Sequence, residues 1–413
     1  MAAIGLSSCA RDPLLRTSYT QEEWASIEAL ALVSALTLEE KASQVLMVGI
    51  DGSESFPPHL AAHFKGRVPG AVLLFKRNIS PDAVGIIRFI DSAQCAFREL
   101  GGRAPVLFAI DHEGGSVYRT GRATTRLPSA VSVAERFSDA EAEALYRASG
   151  AELAALGIGL NLAPVAETLT PANAPFLDDR AYSGDPDRVG AYARAAVRGF
   201  RAGSVLVALK HFPGNAGEDP HKGLPVLSVG GAEFARLYVA PFRAALRERA
   251  DAVLVSHVVV PSVEKDVPFC LSRKGVTGLL RGELGFDGLV VTDDLAMGAL
   301  SRAGFSPPEA AVRAIEAGCD LVLVTDPGIG RVVRAIAARA SSDAVFARRL
   351  DEAVTRVLVA KARVALASTA LRRYRDSRSP GGRVVPLALD RLSSARKAGE
   401  RALRSGSGAS ASE

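Results

Sequence analysis

Two short stretches bring together residue types able to act as acid, base and nucleophile. The first is Lys210-His211-Phe212-Pro213-Gly214, which closes the apolar run Val205–Leu209 and leads into a loop carrying Asp219 and His221 two residues apart. The second is Thr292-Asp293-Asp294, about eighty residues later, closing the run Leu289–Val291. A buried strand rarely ends in Lys-His by chance, because both groups cost free energy to desolvate unless they have partners. A carboxylate held at a strand end, as Asp293 would be, can attack an electrophilic carbon and form an ester. An Asp beside a His can fix its tautomer and favour its protonated form, which suits Asp219 and His221 to proton transfer. Retaining glycosyl transfer asks for such a carboxylate nucleophile and a separate acid/base. Lys210 and His211, with Asp111, Arg119 and Arg180, could grip a ligand rich in hydroxyls around an apolar ring, as a sugar is. Each residue also has a plainer reading. Asp293 and Asp294 could simply cap the next helix, His221 could be an exposed loop residue, and either arginine could serve a surface salt bridge. Glu113 with Gly114-Gly115 could shape a turn.

These residues need a scaffold that collects strand ends. Strand-like apolar runs recur at Ser43–Ile50, Gly70–Phe75, Pro105–Asp111, Ile158–Ala163, Val205–His211, Ala252–His257, Gly288–Thr292 and Asp320–Val324. Most are nearly unbroken, as buried parallel strands are. Helix-like segments alternate with them, among them Pro81–Leu100, Ser138–Leu156, Pro186–Ala202, Ala232–Ala250, Ser272–Leu284 and Pro307–Ala317. A further helix is read at Gln21–Leu36, and a last amphipathic one at Ala344–Ala367. Eight such repeats predict an α/β fold, a (β/α)8 TIM-type barrel forming one catalytic domain over 36–369. A doubly wound open sheet is the competing arrangement. The barrel places active sites at the C-terminal strand ends. Polar residues gather there: Asp111-His112-Glu113 after the third strand, Asn161 in the fourth, Lys210-His211 in the fifth, Ser256-His257 in the sixth and Thr292-Asp293-Asp294 in the seventh.

Composition narrows the partners. The 413 residues carry 50 Lys/Arg and 45 Asp/Glu. Ten Lys/Arg against four Asp/Glu fall in 370–413, so that segment holds about +6 and the rest about −1. Nothing in the body points to nucleic acid. The basic segment 370–413 reads as a partly disordered, solvated tail, with low complexity from Ser405 and a short apolar patch at Val384–Leu392. No apolar stretch reaches eighteen residues, which excludes a membrane-spanning helix of that kind. The four cysteines show no metal-ligand spacing, so no zinc site is expected. Leu6-Ser7-Ser8-Cys9 resembles a bacterial lipobox within the lead-in 1–35, which makes Cys9 a candidate lipid anchor and the cell envelope the expected location, with the cytoplasm as alternative.

The ordered motifs now point further. They run Lys41-Ala-Ser-Gln44, Phe75-Lys-Arg-Asn78, Asp111-His-Glu113-Gly-Gly115-Ser-Val117-Tyr-Arg119, Asn161-Leu-Ala-Pro164-Val165, Arg180-Ala-Tyr-Ser-Gly-Asp185-Pro186, Lys210-His-Phe-Pro-Gly214, Thr292-Asp-Asp-Leu-Ala-Met297 and Ala317-Gly318-Cys-Asp320. In this series the chain resembles glycoside hydrolase family 3, in its β-N-acetylglucosaminidase branch, typified by the peptidoglycan-recycling hexosaminidase. The resemblance implies a retaining exo-enzyme that removes terminal N-acetylglucosamine from muropeptide or chitin-type fragments. It implies Asp293 as nucleophile, His221 as acid/base and Asp219 as its orienting partner. Asp111, Arg119, Arg180, Lys210 and His211 would bind the sugar. The family needs neither metal nor organic cofactor, and a monomer is expected. The pattern departs from the family at Asn215-Ala216, where His-Gly is usual, at His112 and Ser116, where Gln and Arg are usual, and at Glu167, where Asp is common. A β-glucosidase, a glycoside phosphorylase or a non-catalytic glycan-binding protein on the same fold are the alternative functions.

Overall fold

The computed structural model describes residues 21–325, 328–367 and 384–406. Cys9 and most of the lead-in lie outside the described residues.

Eight parallel strands form the centre: β1 Leu46–Gly49, β2 Ala71–Leu74, β3 Leu107–Ile110, β4 Leu160–Asn161, β5 Leu206–Phe212, β6 Ala252–Val255, β7 Leu289–Thr292 and β8 Val322–Val324. Each strand neighbours the next in sequence from β1 to β7, and β1 also pairs with β8. The ring closes where Val291 of β7 bridges Leu321 just before β8, with the Thr292 amide donating to the Leu321 carbonyl at 3.0 Å. The expected barrel is therefore the observed one; seven strands fall inside the segments read from the sequence, and β5 runs one residue past its segment, to Phe212. An open sheet is ruled out by this bridge between β7 and the segment entering β8.

Side chains alternate across each strand, as a period of two requires. Met47, Leu73, Ala109, Ala208, Leu254, Val291 and Leu323 fill the barrel interior. Their neighbours Val48, Val72, Phe108, Val207, Val253, Val290 and Val322 pack outward against the helices. Both faces are buried, which is why the strands read as continuous apolar runs rather than alternating ones. The last barrel helix, Ala344–Ala367, sends Val357, Ala360 and Val364 into the interior cluster and plugs it from below.

Helix boundaries follow local chemistry. Asp82 accepts the Gly85 amide at 2.8 Å and starts Ala83–Glu99. Ser138 and Glu141 form a reciprocal cap ahead of Asp139–Leu156, which Gly157 ends at φ +91°. Asp185 caps Pro186–Ala202 with proline in the first turn. Two of the expected helices, at 232–250 and 272–284, contain wide-turn stretches over Phe234–Val239 and Lys274–Glu283. The helices Leu38–Gln44 and Ile329–Ser342 are not among those read from the sequence, although buried Ile329, Val332, Val333, Ile336 and Ala340 keep helical spacing.

The C-terminal segment differs from its sequence reading. Val384–Ser405 is a helix lying against Asp139–Leu156, not a solvated extension. Leu392, Ala395, Gly399 and Ala402 form its buried stripe, while Arg391, Arg396, Lys397, Arg401 and Arg404 face outward. A methyl group on Gly399 would meet Thr125 at 3.0 Å, so a small residue is needed where the helix crosses that loop. Alanine and glycine give a weak hydrophobic signal, and the surrounding arginines obscured it.

One buried charge has a measurable consequence. Lys361 is 4% exposed and its Nζ donates to Gln44 Oε1 at 2.6 Å. Burial pushes its ammonium down from 10.5 to about 7. Between those values the unfolded chain holds a proton that the folded chain has released, so raising the pH favours folding. Stability is expected to rise from pH 7 to pH 10 by at most about 1.4 kcal/mol per unit from this group. Denaturant midpoints across that range should show the rise in the wild type and a flatter profile in Lys361→Met. Parallel profiles in the two proteins would contradict it.

Candidate active site

The C-terminal strand ends converge on a network of charges. Lys210, 2% exposed at the end of β5, reaches Asp111 Oδ1 at 2.6 Å and Glu113 Oε1 at 2.5 Å. Glu113 also takes a two-pronged contact from Arg180, Nε to Oε2 at 2.8 Å and Nη2 to Oε1 at 3.0 Å. Burial alone would push the Lys210 ammonium down, but Asp111 and Glu113 more than offset it and its pKa is raised. Burial likewise opposes ionisation of Glu113, yet Lys210 and Arg180 hold its pKa down at about 2. Asp111, Lys210 and Arg180 are thus brought together as expected. Glu113, read from the sequence as a turn residue, is the anion that joins the two cations. Asp111 and Glu113 stand two residues apart where the chain leaves β3, and that spacing is the signal that could have paired them.

The turn after Glu113 is held as its glycines demand. Gly114 and Gly115 have φ of +101° and +55°. A Cβ on Gly114 would lie 2.0 Å from the Pro128 carbonyl oxygen, and one on Gly115 would lie 2.4 Å from an oxygen of Asp179. Ser116 donates through both its amide and its hydroxyl to Asp179, which precedes Arg180. The serine at this departure from the family pattern therefore helps seat the arginine loop. Arg119 is half-buried further along and forms no hydrogen bond or ion pair among the described residues.

His211 is tied down from a second side. Its Nδ1 lies 2.5 Å from Glu167 Oε1. A carboxylate only accepts, so Nδ1 carries the hydrogen. Glu167 Oε2 accepts the Asn215 amide at 2.6 Å, and the Asn215 side chain reaches Oε1 at 3.3 Å. Two of the departures from the family pattern, Glu167 and Asn215, thus contact each other and orient His211. Glu167 is a positioning residue, noted in the sequence only as a departure from the family pattern.

Asp293 sits half-buried at the end of β7. Its Oδ1 accepts the Asp294 amide at 2.9 Å. Burial pushes its pKa up, but the electrostatic pull of His257, His211 and Lys210 and the Asp294 amide outweigh burial and lower it. A carboxylate kept ionised in this way is fit to be a nucleophile. Asp294 does cap the following turn, through the Ala296 amide at 3.0 Å, and it also ties to Thr325 after β8. Beneath it, His257 Nε2 donates to the Asp294 carbonyl at 2.9 Å, and Nδ1 faces Cys270 Sγ at 3.2 Å. Burial lowers the pKa of this ring, against the opposing pull of Asp293 and Asp294. His257 was read only as a polar strand end, and it braces the segment that carries Asp293.

His221 stands apart from this cluster. Its Nδ1 is 2.9 Å from Asp219 Oδ1, and its side chain is 74% exposed. Burial opposes ionisation of Asp219, but hydrogen bonds from the His221 amide and ring lower its pKa. No hydrogen bond links His221 to Asp293 among the described residues. The loop is nevertheless fastened to the chain just beyond Asp293: the Ala299 amide donates to the Pro220 carbonyl at 3.1 Å, and Gly298 lies directly against the His221 carbonyl.

The sequence profile described as glycosyl hydrolase family 3 N terminal domain matches residues 37–360. The chain belongs to glycoside hydrolase family 3. A beta-hexosaminidase of Xylella fastidiosa is 34% identical over 312 residues, covering 73% of this chain and 90% of that protein. The family 3 beta-N-acetylglucosaminidase of Paenibacillus sp. superposes with a TM-score of 0.76 at 32% identity, covering 87% of this chain and 69% of that one. The beta-N-acetylhexosaminidase of Beutenbergia cavernae gives 0.72 at 35% identity, covering 79% and 98%. In this family 3 chain the matched region spans all eight strands and every residue of the charged network.

Proposed function

We propose that this chain is a retaining exo-β-N-acetylglucosaminidase acting on terminal β-linked N-acetylglucosamine of muropeptide or chitin-type fragments. The observation that carries the reading is the pairing of an ionised Asp293 at the barrel mouth with an Asp219–His221 couple on a loop fastened beside it. The naming of similar proteins as beta-hexosaminidases and beta-N-acetylglucosaminidases supports the substrate.

In the first step a carboxylate oxygen of Asp293 bonds to the anomeric carbon and the glycosidic bond breaks. The departing oxygen takes a proton from His221, whose ring Asp219 orients. In the second step water bonds to the anomeric carbon, the ester to Asp293 breaks and His221 recovers the proton. Asp111, Lys210, Arg180, Arg119 and His211 hold the sugar hydroxyls during both steps. Lys210 and Arg180 are already fixed by Glu113, and His211 by Glu167, so little ordering is left for substrate binding to impose.

The test compares leaving groups. With an aryl β-N-acetylglucosaminide whose nitrophenol departs readily, His221→Ala should lose little in the bond-breaking step. With an unactivated disaccharide the same variant should lose about 10²–10⁴-fold, the usual worth of general acid catalysis. Equal losses on both substrates would remove His221 from the acid role. Preference of the wild type for the aryl β-glucoside would overturn the N-acetyl specificity.

A further inference from the structure

A second concave site lies at the opposite end of the barrel from the charged mouth. It opens beneath the N-terminal ends of β5, β6 and β7 and encloses about 660 Å³, within the range of small-molecule pockets. Part of its lining is apolar, from Leu206, Phe286, Leu289 and Val359. Its wall is cationic: Arg201, Arg243, Arg247, Arg249, Arg356 and Arg363 face only two carboxylates, Asp251 and Asp287.

Half of these arginines have structural work. Arg201 and Arg363 both lie 3.5 Å from Asp251. Arg356 reaches Asp320 at 3.3 Å and donates to the Asp287 carbonyl at 3.2 Å. The side chains of Arg243, Arg247 and Arg249 are exposed and form no hydrogen bond or ion pair among the described residues. Arg243 and Arg247 stand four apart at the end of the helix Ala240–Leu246, a spacing at which like charges repel. The cleft therefore carries an uncompensated excess of positive charge in a chain whose body is close to neutral. An extended basic track for a nucleic acid would need that charge spread over the surface, and here it is confined to one pocket.

We propose that this cleft binds a small molecule carrying a diphosphate group. The phosphoryl oxygens would lie on Arg243, Arg247 and Arg249, whose planar forks match such oxygens in pairs. The organic part would lie against Leu206 and Phe286. The site is independent of the sugar chemistry proposed above, because the barrel interior separates the two ends.

Calorimetric titration of the full chain with inorganic pyrophosphate and with ADP, at fixed ionic strength, tests this. Saturable binding of one equivalent is expected for both, with ADP the tighter through its organic part. The combined variant Arg243→Ser, Arg247→Ser, Arg249→Ser should weaken both at least tenfold while keeping the wild-type circular dichroism and melting temperature. Asp293→Asn, at the other end, should bind as the wild type does. Absence of saturable binding, unchanged affinity in the triple variant, or equal competition by sulfate at the same ionic strength would overturn the proposal.

Discussion

Asp293→Ala is expected to lower turnover of an aryl β-N-acetylglucosaminide by roughly four orders of magnitude, the scale reached when one member of a catalytic unit is removed. The loss should fall on kcat, because the carboxylate acts chiefly as the bond forms. Folding should be little affected. Asp293 is only half-buried, and its Oδ1 meets a single backbone amide. Asp293→Asn should be nearly as inactive while keeping the shape, since the amide retains the volume and loses the charge. Azide offers a sharper readout. In Asp293→Ala it can attack the anomeric carbon from the vacated side, expelling nitrophenolate and leaving an α-glycosyl azide. Formation of that product would assign Asp293 as the nucleophile. A variant that keeps more than a few per cent of wild-type activity, without added azide, would remove the assignment.

Lys210→Met should cost stability as well as the sugar contact proposed for Lys210. Lys210 neutralises Asp111 and Glu113 together, and Glu113 is almost fully buried. Breaking a buried pair by removing one partner typically costs about 3–5 kcal/mol, because the other charge stays uncompensated. Arg180 continues to hold Glu113, which places the expected loss near the lower end. The deficit should also depend on pH in a defined direction. Glu113 has its pKa lowered to about 2 in the folded wild type, so its stabilisation is present above the unfolded value near 4.5 and is lost as the pH falls towards 2. Without Lys210 the folded carboxyl protonates at a higher pH and the strain is relieved sooner. The gap between variant and wild type should therefore be widest near pH 7 and shrink below about pH 4. A denaturation series in which the gap is absent at pH 7, or constant down to pH 3, would show that the pair is not a net stabiliser.

Much of the site was legible because it lies at the ends of apolar runs. Asp111 and Asp293 each follow a buried strand, Lys210 and His211 are among the last residues of one, and the barrel gathers such positions at one end. The basic C-terminal stretch was misread for a local reason: a stripe of Leu392, Ala395, Gly399 and Ala402 gains its hydrophobic contact only against the helix Asp139–Leu156. The positioning role of Glu167 was not legible because its partners, His211 and Asn215, are 44 and 48 residues away.

The sequence by itself determined the repeat of strand and helix, and with it the closed barrel, because a run of apolar residues between caps needs only local contacts and burial to become a buried strand. It also determined which ionisable groups stand at the mouth. Only the tertiary structure decided how those groups neutralise one another. Lys210 meets Asp111 across 99 residues of chain, Arg180 meets Glu113 across 67, and the far cleft gathers Arg201, Arg243 and Arg356 from helices distant in sequence. Electrostatic interaction depends on distance in space, and those distances exist only once the ring has closed.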